Sequence, residues 1–497
     1  MPRAGDVGGI VTLRNDLNEP RQHYGLTLGI LTLAAAAYAL QQTMVVPALP
    51  ALQRELDAST TWVTWVLTGF LLSAAVLTPI LGKLGDRFGK ERLLVVSLAI
   101  FLVGCIGCAA APDIWTLIAF RVVSGAAGAV FPLSFGIIRD EFPPDRMKVG
   151  IGLLSAVFGI GGGFGLVLSG LIIDNASWRW LFVVGAIGVA IALVLVHRFV
   201  PESPVRSTSR IDIPGAVLMS VALVSLLLGL SQGGSWGWTS PAVLGLFALA
   251  ALSAVAWIVL ELHVDEPLID IRVLADRPVL LTNTTALISG FAMFGSFVLV
   301  PRFVEAPGGL PPEIADRLGY GFAATATTTG LYLLPGSLLM LFAGPAAGLL
   351  GRRFGSKWPL ALGMALVALS ATGLAVVHDE PWQIVVSMSG LSVGVGFAFA
   401  AMAALITEAV EPTETGIATG INTVMRTIGA VVGAQVGAAI LTATTIEGTG
   451  VPTEGAYVTA FALAAVAGGF AAVIAVFVTP PRRRRARSRI AVEAGSA

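Results

Sequence analysis

Apolar stretches long enough to cross a lipid bilayer recur along the whole chain and are separated by short polar segments. A helix needs about 20 apolar residues to span the hydrocarbon core. Runs of this kind fall at about 27–49, 62–81, 93–111, 115–137, 150–173, 180–200, 213–231, 242–262, 279–300, 328–350, 358–377, 382–406, 416–441 and 457–478. The pattern predicts an all-α polytopic membrane protein with fourteen transmembrane helices.

The spans fall into two groups of six with two extra spans between them. We therefore expect five segments: a tail at 1–23, a first six-helix half at 24–200, a linker with two extra helices at 201–278, a second six-helix half at 279–480 and a tail at 481–497. The two extra helices have no partner of their own in this layout. They are expected to be packing helices that face lipid.

The composition agrees with a membrane protein and not with an ordinary soluble one. Hydrophobic residues make up 56% of the chain and charged residues 12%, and the mean hydropathy is +0.85. Residues 1–23 are polar and lack a short apolar core followed by a cleavage site, so a signal peptide is not expected.

The positions of the basic residues predict the orientation in the inner cell membrane. With the N-terminus placed inside, the outer loops hold only Arg54, Arg179, Arg302 and Arg317 of the 30 Lys and Arg residues. This asymmetry predicts that both termini are cytoplasmic. Eight tryptophans fall at predicted outer ends of spans or in outer loops and are expected to form an interfacial belt: Trp62, Trp65, Trp115, Trp178, Trp180, Trp236, Trp238 and Trp382.

The basic run at 482–489 follows the last span directly. Each basic residue near an anionic membrane surface contributes about 1 kcal/mol of attraction. The run is therefore expected to bind membrane lipid, and no nucleic-acid partner is predicted.

A charged segment at Gly82–Leu94 separates the second and third spans. Its glycines permit a tight turn, its basic residues suit the cytoplasmic surface, and the acid Asp86 at the membrane edge needs a partner. The segment resembles the loop between the second and third helices of major facilitator superfamily transporters, G-x-L-a-D-r-x-G-r-k-x-x-l. The matching residues include Gly82, Asp86, Arg87, Gly89 and Lys90, while Glu91 departs from a basic position.

A second, degraded copy of this segment lies at Gly348–Gly355. The same offset of 266 residues relates Asp86 to Arg352 and Pro79 to Pro345. Internal repeats of this kind are typical of transporters with two halves of like architecture. The second copy keeps the glycines but has an arginine in place of the carboxylate.

With its six, two and six spans, the chain resembles the fourteen-helix drug:proton antiporters of that superfamily, the multidrug efflux type. The resemblance implies a monomeric transporter, not an enzyme, that exports small lipophilic or amphipathic molecules by alternating access. It implies a proton gradient as the energy source and no bound cofactor. It also implies that Asp86 is a gating residue that docks near the positive N-terminal end of the thirteenth span, close to Thr415 and Gly416.

Two arginines fall well inside predicted spans. The fourth span resembles the family pattern l-x-x-x-R-x-x-q-G at Arg121, with Ser124 in the glutamine place, and the thirteenth resembles n-x-x-R-x-x-G at Arg426. A charge that faces lipid at such depth costs at least about 2.5 kcal/mol, so both side chains should face the bundle or a watery cavity. The resemblance implies a role for Arg121 in the transport path and proton exchange; a structural arginine bound to helix carbonyls is the alternative.

The first span resembles l-D-x-T-i-v-n-v-A-L-P, but Gln41 stands in place of the aspartate. A protonatable group is therefore missing from the usual place. Glu305, at the outer edge of the ninth span, is the nearest candidate for proton coupling, and an interfacial loop acid is the alternative.

The fifth span resembles the antiporter motif g-x-x-x-G-P-x-x-G-G, with Leu166 in place of the proline and Ser169 in place of a glycine. Gly161, Gly165 and Ser169 form a groove of small residues that allows close helix approach, and Gly170 follows them. The resemblance implies that such a helix lines the interface between the halves, and ordinary bundle packing is the alternative.

The remaining reactive residues indicate no further chemistry. Cys105 and Cys108 share an apolar span and are interpreted as small apolar residues, and the four histidines lie in tails or at span ends, so no metal site is predicted. Two other functions stay open: an uncoupled facilitator or lipid or metabolite exporter of the same fold, and a membrane-embedded enzyme or sensor. The second is disfavoured because no nucleophile and base lie at a common depth.

Overall fold

The computed structural model describes residues 24–207, 212–308, 318–446 and 451–479, with the single residues 313 and 449. The predicted tails at 1–23 and 481–497, including the basic run at 482–489, lie outside the described residues. The described helices are α1 (Tyr24–Thr43), α2 (Leu49–Glu55), α3 (Thr60–Phe88), α4 (Lys90–Ala110), α5 (Ile114–Ser124), α6 (Val130–Glu141), α7 (Pro144–Ala156), α8 (Phe158–Asn175), α9 (Arg179–Phe199), α10 (Ile213–Trp236), α11 (Pro241–His263), α12 (Ile271–Ala275), α13 (Arg277–Glu305), α14 (Ala326–Phe354), α15 (Lys357–Val376), α16 (Pro381–Ala409), α17 (Thr415–Ala443) and α18 (Glu454–Val476).

The all-α membrane fold is confirmed, with local departures from the predicted bounds. In the described part of the chain, 13 helical segments are each long and apolar enough to cross a membrane. The predicted fifth span is instead broken at Val157 into α7 and α8. The first span ends at Thr43 and not at 49, because the chain turns before the short helix α2.

The charged segment at Gly82–Leu94 is mostly helical and not a loop. Helix α3 runs on to Phe88 and α4 begins at Lys90, so Gly89 alone makes the turn, with φ +115°. The second copy repeats this geometry: α14 ends at Phe354 and Gly355 has φ +92°. A positive φ of this kind favours glycine, which explains why both copies keep it.

The two halves meet along two pairs of helices related by the repeat. Helix α3 of the first half packs against α17 of the second, and α14 of the second half packs against α7 and α8 of the first. The backbones nearly touch: a Cβ on Gly82 would lie 2.6 Å from Gly416 O, and one on Gly344 would collide with Gly152 O. Close approach without side chains is typical of membrane helix interfaces.

The small residues of α8 face two different partners. Gly161, Gly165 and Ser169 pack against α1 within the first half, where Ser169 Oγ donates to Met44 O at 2.5 Å. The opposite side of α8 meets α14, with Gly163 against Ser337 and, near the end of the helix, Gly170 close to Thr327. The groove predicted from the motif is therefore bundle packing, and the other side of α8 lines the interface between the halves.

The two extra helices differ from each other. Helix α11 is mostly exposed, as expected for a lipid-facing helix. Helix α10 contacts both α3 and α17. Its Met219 and Leu223 share an apolar cluster with Ala75 on α3 and Ile421 on α17. The expectation that both helices only face lipid is thus wrong for α10, which covers the interface between the halves.

Two of the eight tryptophans of the predicted belt are not exposed: Trp65 is half-buried and Trp178 lies in the core. Trp178 is fully buried, with the Arg179 guanidinium 4.4 Å from its ring and Phe182 at 6.0 Å. Six others of the predicted set are exposed: Trp62, Trp115, Trp180, Trp236, Trp238 and Trp382. Trp178 is therefore a core residue, because it follows a tight turn that points it inward between α9 and the neighbouring helices.

Candidate functional site

The carboxylate of Asp86 docks on the first turn of α17. Its Oδ1 accepts a hydrogen bond from Gly416 N and its Oδ2 one from Ile417 N, both at 3.1 Å, and the side chain is fully buried. The N-terminus of a helix presents unpaired N–H groups and a positive dipole end, which favour an anion. The sequence resemblance placed Asp86 at this helix end, and the geometry agrees.

Buried charges within the first half surround Asp86. Lys90 Nζ lies 3.6 Å from Asp86 Oδ1 and donates to Asp140 Oδ2 at 2.6 Å. Asp140 Oδ2 also accepts from Ser203 Oγ at 2.5 Å, and Ser207 N donates to the backbone oxygen of Asp86 at 2.6 Å. The linker that leaves the first half is therefore tied directly to the docking site.

Arg139, at the end of α6, makes a second contact across the halves. Its guanidinium donates to Val410 O at 2.7 Å, to Glu411 O at 3.1 Å and to Thr415 Oγ1 at 2.6 Å. These acceptors lie where α16 ends and α17 begins. A cation interacts favourably with the negative C-terminal end of a helix. Arg139 therefore binds the same region of the second half, the junction of α16 and α17, that Asp86 contacts.

Lys148 makes a third contact, at the position that the repeat relates to the first. There Arg352 is exposed and does not occupy the interface. Lys148 Nζ of α7 instead donates to Gly351 O at 3.2 Å, at the C-terminal end of α14, and pairs with Glu408 Oε1 at 2.7 Å. Ser356 Oγ donates to the same Glu408 oxygen at 3.1 Å. The polarity is the reverse of the Asp86 contact: a cation meets a helix C-terminus.

These three contacts lie on one face of the molecule, at the ends of α3, α6 and α14, which we call the Asp86 face. On the opposite face, the described residues of the two halves are joined by a long hydrogen bond between exposed groups. Thr327 Oγ1 donates to Asp174 Oδ2 at 3.4 Å. The described residues thus show a conformation that is closed at the Asp86 face.

Arg121 lies inside the first half on α5 and is 1% exposed. Its Nε donates to Val66 O at 3.0 Å, and its guanidinium lies 4.2 Å from the Phe70 ring centroid. Its Nη2 has no hydrogen-bond partner among the described residues. The carbonyl contact agrees with the structural alternative, and the unpaired nitrogen leaves one donor for a ligand or water.

Arg426 on α17 supplies the matching charge of the second half. Its guanidinium lies 4.1 Å from the Phe399 ring centroid, and its side chain is half-buried. Tyr38 on α1 is within electrostatic range of both Arg426 and Arg121. The structure therefore brings two arginines, each on an aromatic ring, and one tyrosine to the centre of the bundle.

Gln41 points into the first half. It is fully buried, its Nε2 donates to Cys105 Sγ at 3.6 Å, and it fits against Gly185, where a Cβ would collide with the amide. Its Oε1 has no partner among the described residues. Cys105 is itself within electrostatic range of Arg121, so the glutamine lies on the Arg121 side of the bundle, between α4 and α9.

The other predicted site residues lie at the ends of helices. Glu305 ends α13, is half-buried and lies beside Thr329 of α14. Arg87 has its guanidinium 5.1 Å from the Phe88 ring. Gly89 faces the Glu202 carboxylate, which accepts from the N-terminal amides of α4 at 3.3 and 3.4 Å.

Sequence reasoning missed several residues of this arrangement. Tyr38, Phe70 and Phe399 carried no motif, and Arg139 and Lys148 read only as ordinary basic residues at span ends. One signal for Lys148 was available in the sequence. The internal repeat places the segment around Lys148 opposite the second copy of the charged segment. Among the described residues, no group of three or more His, Cys, Asp and Glu is placed to hold a metal ion.

Comparison with known proteins shows the family. The sequence profile of the Major Facilitator Superfamily matches residues 31–311 and 307–496. The chain is 28% identical over 374 residues to the tetracenomycin C resistance and export protein of Streptomyces glaucescens, covering 75% of this chain and 67% of that protein. It is 30% identical over 404 residues to multidrug resistance protein 3 of Bacillus subtilis, covering 79% and 74%. It is 28% identical over 399 residues to the methylenomycin A resistance protein of Streptomyces coelicolor, covering 79% and 81%.

Solved structures agree on the fold. The human organic anion transporter MFSD10 (TETRAN) superposes with a TM-score of 0.63 at 13% identity, over 92% of this chain and 98% of that one. The proton:xylose symporter XylE superposes with a TM-score of 0.60 at 16% identity, over 93% and 97%. The chain belongs to the major facilitator superfamily and is a multi-pass membrane transporter, not an enzyme, that resembles the drug-efflux members of that family.

Proposed function

We propose that this chain is a secondary active exporter of small lipophilic or amphipathic molecules, driven by a proton gradient and working by alternating access. Relatives named for antibiotic resistance, multidrug resistance and export support efflux. In this proposal the Asp86 face is the cytoplasmic face of the inner membrane, both termini lie on it, and the chain acts as a monomer.

The observation that carries the proposal is the Asp86 contact between the halves. A transporter that alternates must close one face with contacts that can be broken and remade. Asp86 binds the start of α17, Arg139 binds the end of α16, and Lys148 binds the end of α14, so all three are polar contacts to helix ends. Because polar contacts exchange with water when a gap opens, they suit a gate better than interlocked apolar side chains would.

The centre of the bundle supports a preference among substrates. Arg121 and Arg426 bring two positive charges into a medium of low effective dielectric, where their field on a ligand is weakly screened. The buried rings of Phe70, Phe399 and Tyr38 lie beside them and make the surroundings apolar. We propose that neutral or anionic amphipathic molecules are favoured over simple cations.

A second candidate function is an uncoupled facilitator or lipid exporter. The observation that favours it is the buried Gln41 amide, which replaces a group that could carry a proton. Efflux from proteoliposomes separates the two functions. A screen of overexpressing and deletion strains supplies the compounds, and their flux is measured with and without a pH gradient. Coupled export predicts flux that follows the gradient; flux indifferent to it favours the facilitator, and no flux of any screened compound contradicts both.

A further inference from the structure

Two buried carboxylates meet at the Asp86-face end of the inserted helix pair. Asp212 is the N-cap of α10, where its Oδ1 accepts from Gly215 N at 2.9 Å. Glu261 lies in the last turn of α11. The two residues are 8% and 4% exposed. Neither belongs to the contacts between the halves or to the central arginines.

The two carboxylates lie close together beside Gly215. A Cβ at this glycine would touch both Asp212 Oδ2 and Glu261 Oε1, so both oxygens border the same small space. Asp212 Oδ2 has no hydrogen-bond partner among the described residues. An unpartnered buried acceptor thus lies near a second acid, an arrangement that costs free energy unless something fills the space between them.

Among the described residues, the hydrogen-bond partners of the pair do not neutralise two negative charges. Glu261 accepts from Trp257 Nε1 at 2.8 Å and from Ile269 N at 3.3 Å, both neutral donors. The buried cation of the neighbouring α3, Lys83, donates its Nζ to Pro267 O at 3.2 Å. In the described part of the chain, the other titratable groups on adjoining segments are the exposed Arg206, His263, Asp265, Glu266 and Arg272 and the α12 cap Asp270; Arg210, just before Asp212, lies outside the described residues. Two negative charges at close range in a poorly solvated place repel each other, and a proton held between them would remove that repulsion.

We propose that Asp212 and Glu261 form a proton-binding site, in which the pair keeps one proton at neutral pH, shared between the neighbouring oxygens. The proton turns a repulsion between two carboxylates into an attraction that fastens α10 to α11. Since α10 covers the interface between the halves, the site fixes the helix pair beside the gate. The inference goes beyond the proposed function, because the site lies outside the central arginine cluster.

Infrared spectroscopy of the purified full chain tests the site. At pH 7, the wild-type-minus-variant spectrum should show one protonated carboxylic C=O band that is lost in both Asp212→Asn and Glu261→Gln. Asp276→Asn is the matched control, because Asp276 also caps a helix that begins next to a proline but is exposed. It should leave the band in place. A band unchanged in both variants, or no carboxylic band in the wild type, overturns the proposal.

Thermal unfolding against pH gives a second readout. A pair that binds its proton more tightly in the folded than in the unfolded chain stabilises the fold at low pH and loses that stabilisation as the pH rises. The wild-type Tm should therefore fall between about pH 5 and pH 8 more steeply than that of either variant. Equal slopes in all three proteins would contradict the site. So would a wild-type Tm raised by Na⁺ or K⁺ at constant ionic strength, which would make the occupant a metal cation.

Discussion

Asp86 and Gly416 come from opposite halves of the chain, yet the Oδ1 of Asp86 accepts a hydrogen bond from the backbone nitrogen of Gly416 at 3.1 Å. A Cβ on Gly416 would stand 3.0 Å from the same carboxylate. The glycine therefore allows the acid to reach the bare end of α17. Any motion that opens the Asp86 face must separate these two residues.

Replacement of Asp86 by asparagine should lower transport without lowering the amount of protein in the membrane. Hydrogen bonds to a charged group contribute about 1.5–3 kcal/mol, so losing the charge should shift the balance between closed and open forms roughly ten- to hundred-fold. The measurement is efflux of a screened substrate per molecule of protein in the membrane.

Asp113→Asn is the control for that variant. Asp113 also receives an N-terminal helix amide, from Thr116 at 2.9 Å, but it is exposed and lies away from the interface between the halves. It should transport like the wild type. Wild-type turnover in Asp86→Asn would refute the gating role.

The ion pair between Lys148 and Glu408 should also stabilise the closed conformation of the Asp86 face. Lys148→Gln and Glu408→Gln should each raise the open population, and the double variant should cost less than the sum of the two, because the side chains contact each other at 2.7 Å. A double-mutant cycle on the population of the open form, read from the distance between spin labels on cysteines placed at the exposed Phe88 and Glu411, measures the coupling. Strict additivity would show that the pair contributes nothing.

Much of this arrangement was predictable from the sequence where a motif and the repeat coincide. Gly82–Leu94 predicted the turn and an acid in need of a partner, and the family resemblance implied which helix that partner is. The repeat predicted the second turn at Gly355. The pattern did not predict that α3 continues to Phe88. Glycines and charged residues indicate where the chain leaves the apolar span, but they do not identify the last helical residue.

The remaining contacts depend on which way a helix is rotated. Arg139 and Lys148 bind backbone carbonyls. Because every residue has a carbonyl, the sequence does not indicate which one accepts the hydrogen bond. The small residues of α8 lie on two sides of one helix, so spacing alone could not say which side meets the second half. Trp178 sits at a span end like its exposed counterparts, and only the turn before α9 buries it.

Glu305 is the acid to test for proton coupling, because Gln41 does not titrate. Glu305→Gln should flatten the pH dependence of flux and leave substrate binding largely intact. The measurement is flux and binding across a pH series in proteoliposomes. Unchanged pH dependence would move the coupling role to Asp86 or Asp174, or remove proton coupling altogether.

The two central arginines should rank substrates by charge. In competition against a bound amphipathic reporter, neutral and anionic compounds should displace it better than matched cations. Arg426→Gln should reduce that preference by roughly ten-fold, because a weakly screened charge acts strongly on a ligand. Stronger displacement by cations in the wild type would refute the charge argument, and an unchanged ranking in the variant would show that Arg426 is structural.

The predicted orientation can be tested by reporter fusions at residues 10 and 490. Both should report from the cytoplasm, since the basic residues concentrate on that side. A periplasmic signal at either position would overturn the topology and the assignment of the Asp86 face to the inside.

Whether the Asp86 contact opens during transport is decided by the distance between spin labels placed across it. Phe88 and Glu411 are exposed, lie in opposite halves and flank the contact, so cysteines at these positions can be labelled while the native cysteines stay buried. We predict one short distance in the wild type, and a second, longer one that appears on addition of substrate and dominates in Asp86→Asn. A single unchanged distance in all three samples would contradict a gate at Asp86.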